Sequence, residues 1–412
     1  MNRHRLFVLL DGRLVGQLWL NKNGLFSFQY DRSWLENPLV CFSLSLPLQE
    51  GEFADDEAHP FFANLLPDGE LREAVARRLR VSEENDYGIL EKIGGDCAGA
   101  VSVLPENSIE QAGYYEPKTK AQLKKLIEEL PKRPLLAGES GIRLSLAGAQ
   151  KKLPVFFNGA TFCLPHGAPS THIIKPQMTH LDDAVVNEAF CMTLAGKAGL
   201  PVPSCFIQTV GEVSFFVVER YDRVIEDDTV YRLHQEDFCQ ALKVPPRFKY
   251  EGEGGPSFKQ CYDTIRAYSG SPAQDALLLL KWLVFNYLIG NCDNHAKNIS
   301  LLHLPGRPPQ LAPFYDLLST RTYPELAGSL AMAIGGETDP DKVQERHWRL
   351  LAEELAVKPQ LIFDLIRGLG STIRQMTIGL RKVEFKKYDC DLLLRVVQTI
   401  NLRIDSTLKK IA

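Results

Sequence analysis

Hydrophobic and polar positions alternate in short runs over the first thirty residues. Stretches 6–10, 13–20 and 25–30 are β-prone, and Asp11-Gly12 and Asn21-Lys22-Asn23-Gly24 between them are turn sequences, so a β-meander is expected. Residues 42–48 alternate apolar side chains with serine, which predicts a further strand. Residues 61–79 read as one helix, with Arg72, Arg77, Arg78 and Arg80 towards the end where cations suit the dipole. Residues 94–104 are glycine-rich and then β-prone, and the polar stretch 105–118 predicts a domain boundary.

Beyond that boundary, 121–130 predicts a short helix. Segments 142–146 and 153–157 flank the small-residue turn Ala147-Gly148-Ala149-Gln150, and 171–175 is a strand. Residues 182–198 predict a helix capped by Asp182 and ended by Gly199-Leu200-Pro201. Segments 205–210 and 213–219 predict a hairpin about Gly211-Glu212. After Asp222 the pattern turns mostly helical, at about 234–243, 258–268, 274–290, 340–356, 358–368, 371–380 and 389–408. The expected organisation is therefore three segments, 1–106, 107–225 and 226–412, β-rich first and helical last.

Composition narrows the classes. The chain has 412 residues, 45% of them hydrophobic and 24% charged, which excludes disorder over most of its length. Lys plus Arg (47) against Asp plus Glu (51) gives a net charge of −4, which argues against wholesale coating of nucleic acid. Residues 366–412 are locally basic, with ten Lys or Arg against four acids; solvated helix faces or a contact with DNA would each account for this. The nine cysteines are dispersed, the closest pair fourteen apart, so no zinc-ligand spacing exists and reduced thiols in a cytosol are expected. The N-terminal apolar run, after Arg3 and Arg5, stops at Asp11, too early for a signal peptide. The most apolar stretch, 276–289, is interrupted by Lys281 and Asn286 and falls short of a membrane span. A cytoplasmic protein without membrane contact is expected.

Five local patterns carry chemistry. In Asn291-Cys292-Asp293-Asn294-His295-Ala296-Lys297-Asn298, a carboxylate and an amide stand five positions apart after an apolar helix. Asp293 could accept a proton from a substrate hydroxyl, Asn298 could bind a metal, and Lys297 could neutralise a transferring phosphoryl group; a polar helix-to-strand loop would show the same residues. Phe314-Tyr315-Asp316 follows the turn Pro305-Gly306-Arg307-Pro308-Pro309, which would return Asp316 beside Asn298 as an oxygen pair suited to Mg²⁺, or leave it as an N-cap. Lys175 ends the strand His172-Ile173-Ile174-Lys175, with Glu188 on the next helix, an order that serves phosphate binding and an orienting ion pair, or merely an edge strand. Residues Ser145-Leu146-Ala147-Gly148-Ala149-Gln150-Lys151-Lys152 could approach phosphates with backbone N–H groups, or form a hairpin turn. Val217-Val218-Glu219-Arg220-Tyr221-Asp222-Arg223 follows an apolar strand and could present its backbone to adenine, or simply end the strand. Their order along the chain is the one a phosphoryl-transfer enzyme of two lobes requires.

Six segments together resemble the HipA family: Phe61-Phe62-Ala63-Asn64-Leu65-Leu66-Pro67-Asp68-Gly69, Ser145–Gln150, Thr171–Lys175, Glu219–Arg223, Gln235-Glu236-Asp237 and Asp293–Asn298. The resemblance runs from about residue 5 to 400. It implies an α+β, bilobal protein-kinase-like fold with a β-rich N-terminal subdomain and an all-helical C-terminal lobe. It implies a serine/threonine kinase toxin of a toxin–antitoxin module, using ATP and Mg²⁺. By the same resemblance Asp293 is the catalytic base. Asn298 and Asp316 hold Mg²⁺, and Lys175 binds phosphates with Glu188 in support. Ala147, Gly148, Ala149, Gln150, Lys151 and Lys152 form the phosphate loop. Glu219 and Tyr221 line the adenine site through the hinge backbone, and Arg220 between them is counted with the ATP-binding residues. His295, Ala296, Lys297 and Tyr315 complete the nucleotide site, and Ser145 is the autophosphorylated serine.

The implied partners are a small helix-turn-helix antitoxin (HipB-like), operator DNA mainly through it, and a protein substrate, an aminoacyl-tRNA synthetase and most often the glutamyl enzyme. Two positions depart from the family pattern. Asn294 stands where glycine often follows the base, and Lys151 where glutamate is frequent. A phosphate on Ser145 would add about −1.5 to −2 charge beside a loop meant for an anionic tail, and is expected to switch the enzyme off. A small-molecule kinase on a related scaffold and a catalytically inactive corepressor are the alternative functions.

Overall fold

A computed structural model describes residues 5–106, 113–139 and 141–411. Arg3 and much of the expected boundary at 105–118 lie outside them. The chain forms two compact units: Met1–Pro176 with Gln208–Arg247 and Leu301–Pro309, and Gln177–Ile207 with Phe248–Ser300 and Gln310–Ala412. These units interleave along the sequence, whereas the segments expected at 1–106, 107–225 and 226–412 are contiguous. The fold is α+β.

The first unit begins with the expected meander. Strands Arg5–Leu10 and Arg13–Leu20 pair with Leu10 opposite Arg13, so Asp11 and Gly12 form a two-residue hairpin loop. Both have positive φ, 46° and 82°, as a type I′ turn demands. Phe26–Tyr30, Glu52–Phe53 and Val101–Pro105 complete a five-stranded antiparallel sheet. A Cβ on Gly16 would lie 2.2 Å from the Gln29 carbonyl oxygen, so this strand crossing admits only glycine.

Two expectations here are corrected. Residues 42–48 form no strand. Their serines are buried with their apolar neighbours because the buried Glu236 carboxylate accepts from Ser43 Oγ (2.5 Å) and from the Leu44 N–H (3.0 Å). The single helix expected at 61–79 is two, Asp55–Ala63 and Gly69–Leu79, broken around Pro67. The first starts on Asp55, Asp56 and Glu57, acids that favour a helix N-terminus. Phe28, Phe42, Phe53, Phe61 and Phe62 form the core beneath the sheet, with ring centroids as close as 4.7 Å for Phe42 and Phe61.

A second antiparallel sheet runs in the order Cys205–Val210, Val213–Glu219, His172–Pro176, Leu153–Phe157, Phe162–His166, Tyr114–Pro117. Lys175 pairs with Phe216, and His172 with Glu219. Residues 142–146 are extended but form no hairpin arm; Leu144 instead makes an isolated parallel bridge with Asp96.

In the second unit, helix Pro272–Ile289 packs against Phe258–Tyr268, Pro359–Val383 and Asp391–Lys410. Pro359–Val383 is one helix where two were expected. Gly370, between the two expected ranges, serves close approach, since a Cβ there would lie 3.3 Å from the Ile404 side chain. Helix Ala184–Lys197 begins after Asp183, not Asp182, and Asp183 makes no side-chain cap. The stretch after 226 is not purely helical. It contains strands Thr229–Arg232, His234–Asp237, Ser300–His303 and Gln310–Leu311. The helix expected at 234–243 shrinks to Phe238–Ala241, which Asp237 caps by accepting from the Gln240 N–H at 2.8 Å. Among the described residues no helix is long and apolar enough to cross a membrane.

Candidate active site

Helix Pro272–Ile289 opens on proline and closes on Gly290 at φ 74°, whose N–H returns to the helix. This fixes where the loop at 291–298 departs. A ladder of amides then sets its shape. Asn286 donates to Trp282 O (2.8 Å), Asn291 Nδ2 donates to Asn286 Oδ1 (2.7 Å), and Asn291 Oδ1 accepts the Asp293 N–H (3.0 Å). Both asparagines are buried. Asn298 closes the loop by donating Nδ2 to Asp293 O at 3.0 Å. That donation decides which way the amide faces and leaves its Oδ1 as the acceptor end.

The return after the 305–309 turn brings Asp316 to the same loop. Ala312 N–H donates to Ser300 O (2.9 Å), and Tyr315 OH donates to Lys297 O (2.8 Å) and lies 2.9 Å from Ser300 Oγ. Asn291 Nδ2 also reaches Asp316 O at 3.4 Å. Asp316 itself holds φ 56°, a left-handed conformation that costs a non-glycine residue about 1 kcal/mol or more and that is frequent at functional sites. Just beyond it, buried Asn187 grips Ser319 through both its amide atoms, at 3.1 and 2.9 Å. Asp293, Asn298 and Asp316 thus share one bonded loop system. A carboxylate and an amide oxygen are hard donors that suit Mg²⁺, an ion that fills its remaining positions with water and phosphate oxygen.

Asp293 keeps its side chain half exposed, while His295, Ala296, Lys297 and Asn298 are buried. Burial pushes the His295 imidazole down to about 4, against the smaller pull of Asp293. It is therefore neutral at pH 7 and offers a ring N–H rather than a charge. Its Nδ1 has no hydrogen-bond partner among the described residues. Tyr250 OH donates to Asp293 Oδ1 at 2.8 Å, a contact that nothing in the local sequence announces. Glu188 is buried on Ala184–Lys197.

The remaining expected residues lie in the first unit. Ser145 is wholly buried, donating Oγ to Leu65 O (2.8 Å) and N–H to Asp96 O (3.1 Å). The loop after it docks on the segment at 64–69. Gly148, at φ 98°, bridges Pro67 and accepts from the Asp68 N–H at 3.3 Å, and Lys152 Nζ donates to Ala147 O. Ala149, Gln150 and Lys151 are partly exposed on the same loop. Lys175 is buried, its ammonium 6.0 Å from the centre of the Phe216 ring.

The Arg220 side chain enters a buried cluster. It meets Asp96 Oδ2 (3.2 Å) and both oxygens of Asp222 (3.0 and 2.9 Å), while Arg223 reaches Asp96 Oδ1 (2.7 Å) and Asp222 Oδ2 (3.1 Å). Burial alone would raise the Asp96 pKa, but Arg220, Arg223 and Arg232 overcome it and hold the carboxyl well below its usual range. The backbone of Arg220 is engaged as well, its N–H on Thr171 O (2.9 Å) and its carbonyl on the Arg223 N–H (3.2 Å). Glu219 stays exposed at the strand end, and Tyr221 OH donates to Gln235.

Comparison with known proteins adds to this geometry. The chain matches the HipA N-terminal domain over residues 6–104 and the HipA-like C-terminal domain over 144–376. It is 43% identical over 373 residues to a Sinorhizobium fredii protein named "Putative kinase Y4mE", covering 88% of this chain and 89% of that one. It is 30% identical to the serine/threonine-protein kinase toxin HipA of Shewanella oneidensis, covering 89% and 87%. A solved structure of HipA from Shewanella oneidensis MR-1, in complex with HipB and operator DNA, superposes with a TM-score of 0.83 at 27% identity over 98% of both chains. With both domains matched and both relatives aligned along nearly nine-tenths of its length, this protein belongs to the HipA family.

Proposed function

We propose that this chain is an ATP-dependent protein serine/threonine kinase and the toxin of a toxin–antitoxin pair. The observation that carries the reading is the loop system in which Asp293, Asn298 and the left-handed Asp316 are tied together by Asn291 and Tyr315. The half-exposed Asp293 carboxylate accepts the proton of a substrate hydroxyl as its oxygen attacks the γ-phosphorus. Asn298 Oδ1 and the Asp316 carboxylate are the groups that would hold Mg²⁺, which when bound neutralises phosphate charge. Lys175 and Lys297 add positive charge from buried positions. The backbone of the 147–152 loop, opened by Gly148, presents N–H groups to phosphate oxygens, and the chain around Glu219 and Tyr221 meets adenine. Glu188 supports Lys175.

The substrate class is a protein serine, on an aminoacyl-tRNA synthetase such as the glutamyl enzyme, so that transfer inhibits translation and arrests growth in the cytoplasm. Ser145 is the autophosphorylation site. Its Oγ has no room for a phosphate while it bonds Leu65 O, so modification requires the loop to leave, and the added charge keeps it out. A HipB-like helix-turn-helix antitoxin is the partner, with operator DNA bound mainly through it.

Phosphoproteomics of cells expressing the wild type or Asp293→Ala tests this reading. One strongly modified serine on a synthetase, absent in the variant together with growth arrest, is expected. Growth arrest that persists in Asp293→Ala would instead favour a binding protein that does no chemistry.

A further inference from the structure

We propose that Tyr250 is a positioning residue of phosphoryl transfer, gripping one oxygen of the Asp293 carboxylate so that the other meets the incoming hydroxyl. The inference rests on Asp293 as the base and adds a residue to that site.

The Asp293 side chain is half exposed, so its carboxylate is not immobilised by burial. Two contacts converge on the same oxygen. Tyr250 OH donates to Oδ1 at 2.8 Å, and His295 Nε2 stands 3.9 Å from it. Oδ2 takes part in neither contact. A carboxylate held through one oxygen by a neutral donor has a fixed plane, and its second oxygen is directed at the substrate.

Tyr250 is itself held rigidly, which a positioning residue requires. Its ring lies edge-on to the buried His295 ring, with centroids 5.3 Å apart at 77°. Its carbonyl accepts the N–H groups of Glu253 (3.0 Å) and Gly255 (2.9 Å). The next residue, Glu251, donates its N–H to Ala331 O (3.0 Å) and accepts the Ala333 N–H on its carboxylate (2.6 Å). The turn depends on Gly255, where a Cβ would fall 2.0 Å from the Phe248 carbonyl oxygen. The hydroxyl is therefore delivered to Asp293 by a segment braced at both ends.

In the reaction, the acceptor oxygen bonds to the γ-phosphorus, its proton passes to Asp293 Oδ2, and the bond from the γ-phosphorus to the β,γ-bridging oxygen breaks to release ADP. The Tyr250 proton stays on Tyr250 throughout. A residue acting this way affects the chemical step and leaves ATP affinity alone.

The test compares the purified full chain with Tyr250→Phe, Asp293→Asn and the double variant. The rate of phosphate release from γ-labelled ATP, the Kd for ATP and the thermal midpoint are measured for each. Tyr250→Phe is expected to lower turnover about tenfold, with ATP affinity within twofold of wild type and the midpoint unchanged. Because Tyr250 acts only through Asp293, the double variant should lose no more than Asp293→Asn alone. Turnover in Tyr250→Phe equal to or above wild type would overturn the proposal, a rise meaning that the tyrosine occludes the base. Losses that multiply in the double variant would also overturn it. If Asp293→Asn turns over normally, or the wild type consumes no ATP, the base assignment fails, and that outcome is distinct from a normal Tyr250→Phe beside a dead Asp293→Asn.

Discussion

Two polar clusters, one in each unit, solve opposite problems. The cluster of the first unit buries two arginines and two aspartates and pairs every charge internally: Arg220 and Arg223 against Asp96 and Asp222. Their side chains are 1–4% exposed, so nothing is left over for a ligand. The 291–298 loop of the second unit is shaped by neutral groups. Asn286, Asn291, Asn298 and Tyr315 hold its backbone, and the Asp293 carboxylate stays half exposed. In the first cluster charges are consumed on one another. In the second, amides and a phenol do the shaping and the Asp293 carboxylate stays half exposed, as the proposed role of base requires.

The sharpest way to break this comparison is Asp96→Ala. It leaves Arg220 and Arg223 buried beside a single carboxylate, and should cost about 3–5 kcal/mol of stability, since removing one partner strands an opposite charge. Urea unfolding should show a lower midpoint, and Asp293→Ala, at a half-exposed position, should not match it. Equal losses in the two variants would erase the distinction.

Between pH 7 and 4, acid should affect both units mainly through buried histidine. Burial holds His295 down to about 4 in the second unit and His234 to about 3 in the first, where neighbouring His303 adds to the effect. The folded state keeps both neutral while the unfolded chain protonates near 6.5, so the unfolded state binds more protons below that pH. Their contribution is complete above about 6.5 and is lost as pH falls towards 4 and then 3. Each loss should be on the order of 3 kcal/mol. Unfolding midpoints followed from pH 7 to 4 check this, and His295→Gln should flatten the second unit's share.

The smallest effect expected is Asn291→Ala. It leaves the Asp293 N–H and the Asn286 amide without their partner, at a cost of about 1–3 kcal/mol. Turnover should fall by more than that stability loss explains, because the loop carrying Asp293 loses its brace. A variant that is merely less stable, with normal turnover when folded, would show that the ladder shapes nothing.

Much of the fold was legible in local pattern. The Asp11-Gly12 hairpin, the strand at 213–219 and the helix at 258–268 lie where periodicity and turn residues put them. The errors share one cause. At 42–48 the alternation of serine and apolar residues imitates a half-buried strand, although both kinds of residue are buried because Glu236, almost two hundred residues away, needs donors. The gap expected between 368 and 371 is helical, and Gly370 within it serves the approach of Ile404, which nothing local announces. The site behaves likewise. The spacing of Asp293 and Asn298 is a local pattern, and the turn at 305–309 does return Asp316 to the loop. The Arg220 side chain is paired with an aspartate 124 positions earlier, which its neighbours in sequence do not announce. Asn286, visible only as an interruption in an apolar helix, belongs to the ladder that holds Asp293, and Tyr250 gave no local signal at all.

The sequence alone determined the order of elements, the turns and the residue types that can bind phosphate and accept a proton, because these follow from neighbours within a few positions. Tertiary structure alone decided which polar groups are paired inside the fold and which, like the Asp293 carboxylate, stay half exposed. That choice depends on desolvation and on hydrogen-bond partners tens to hundreds of residues apart, and no local pattern carries either.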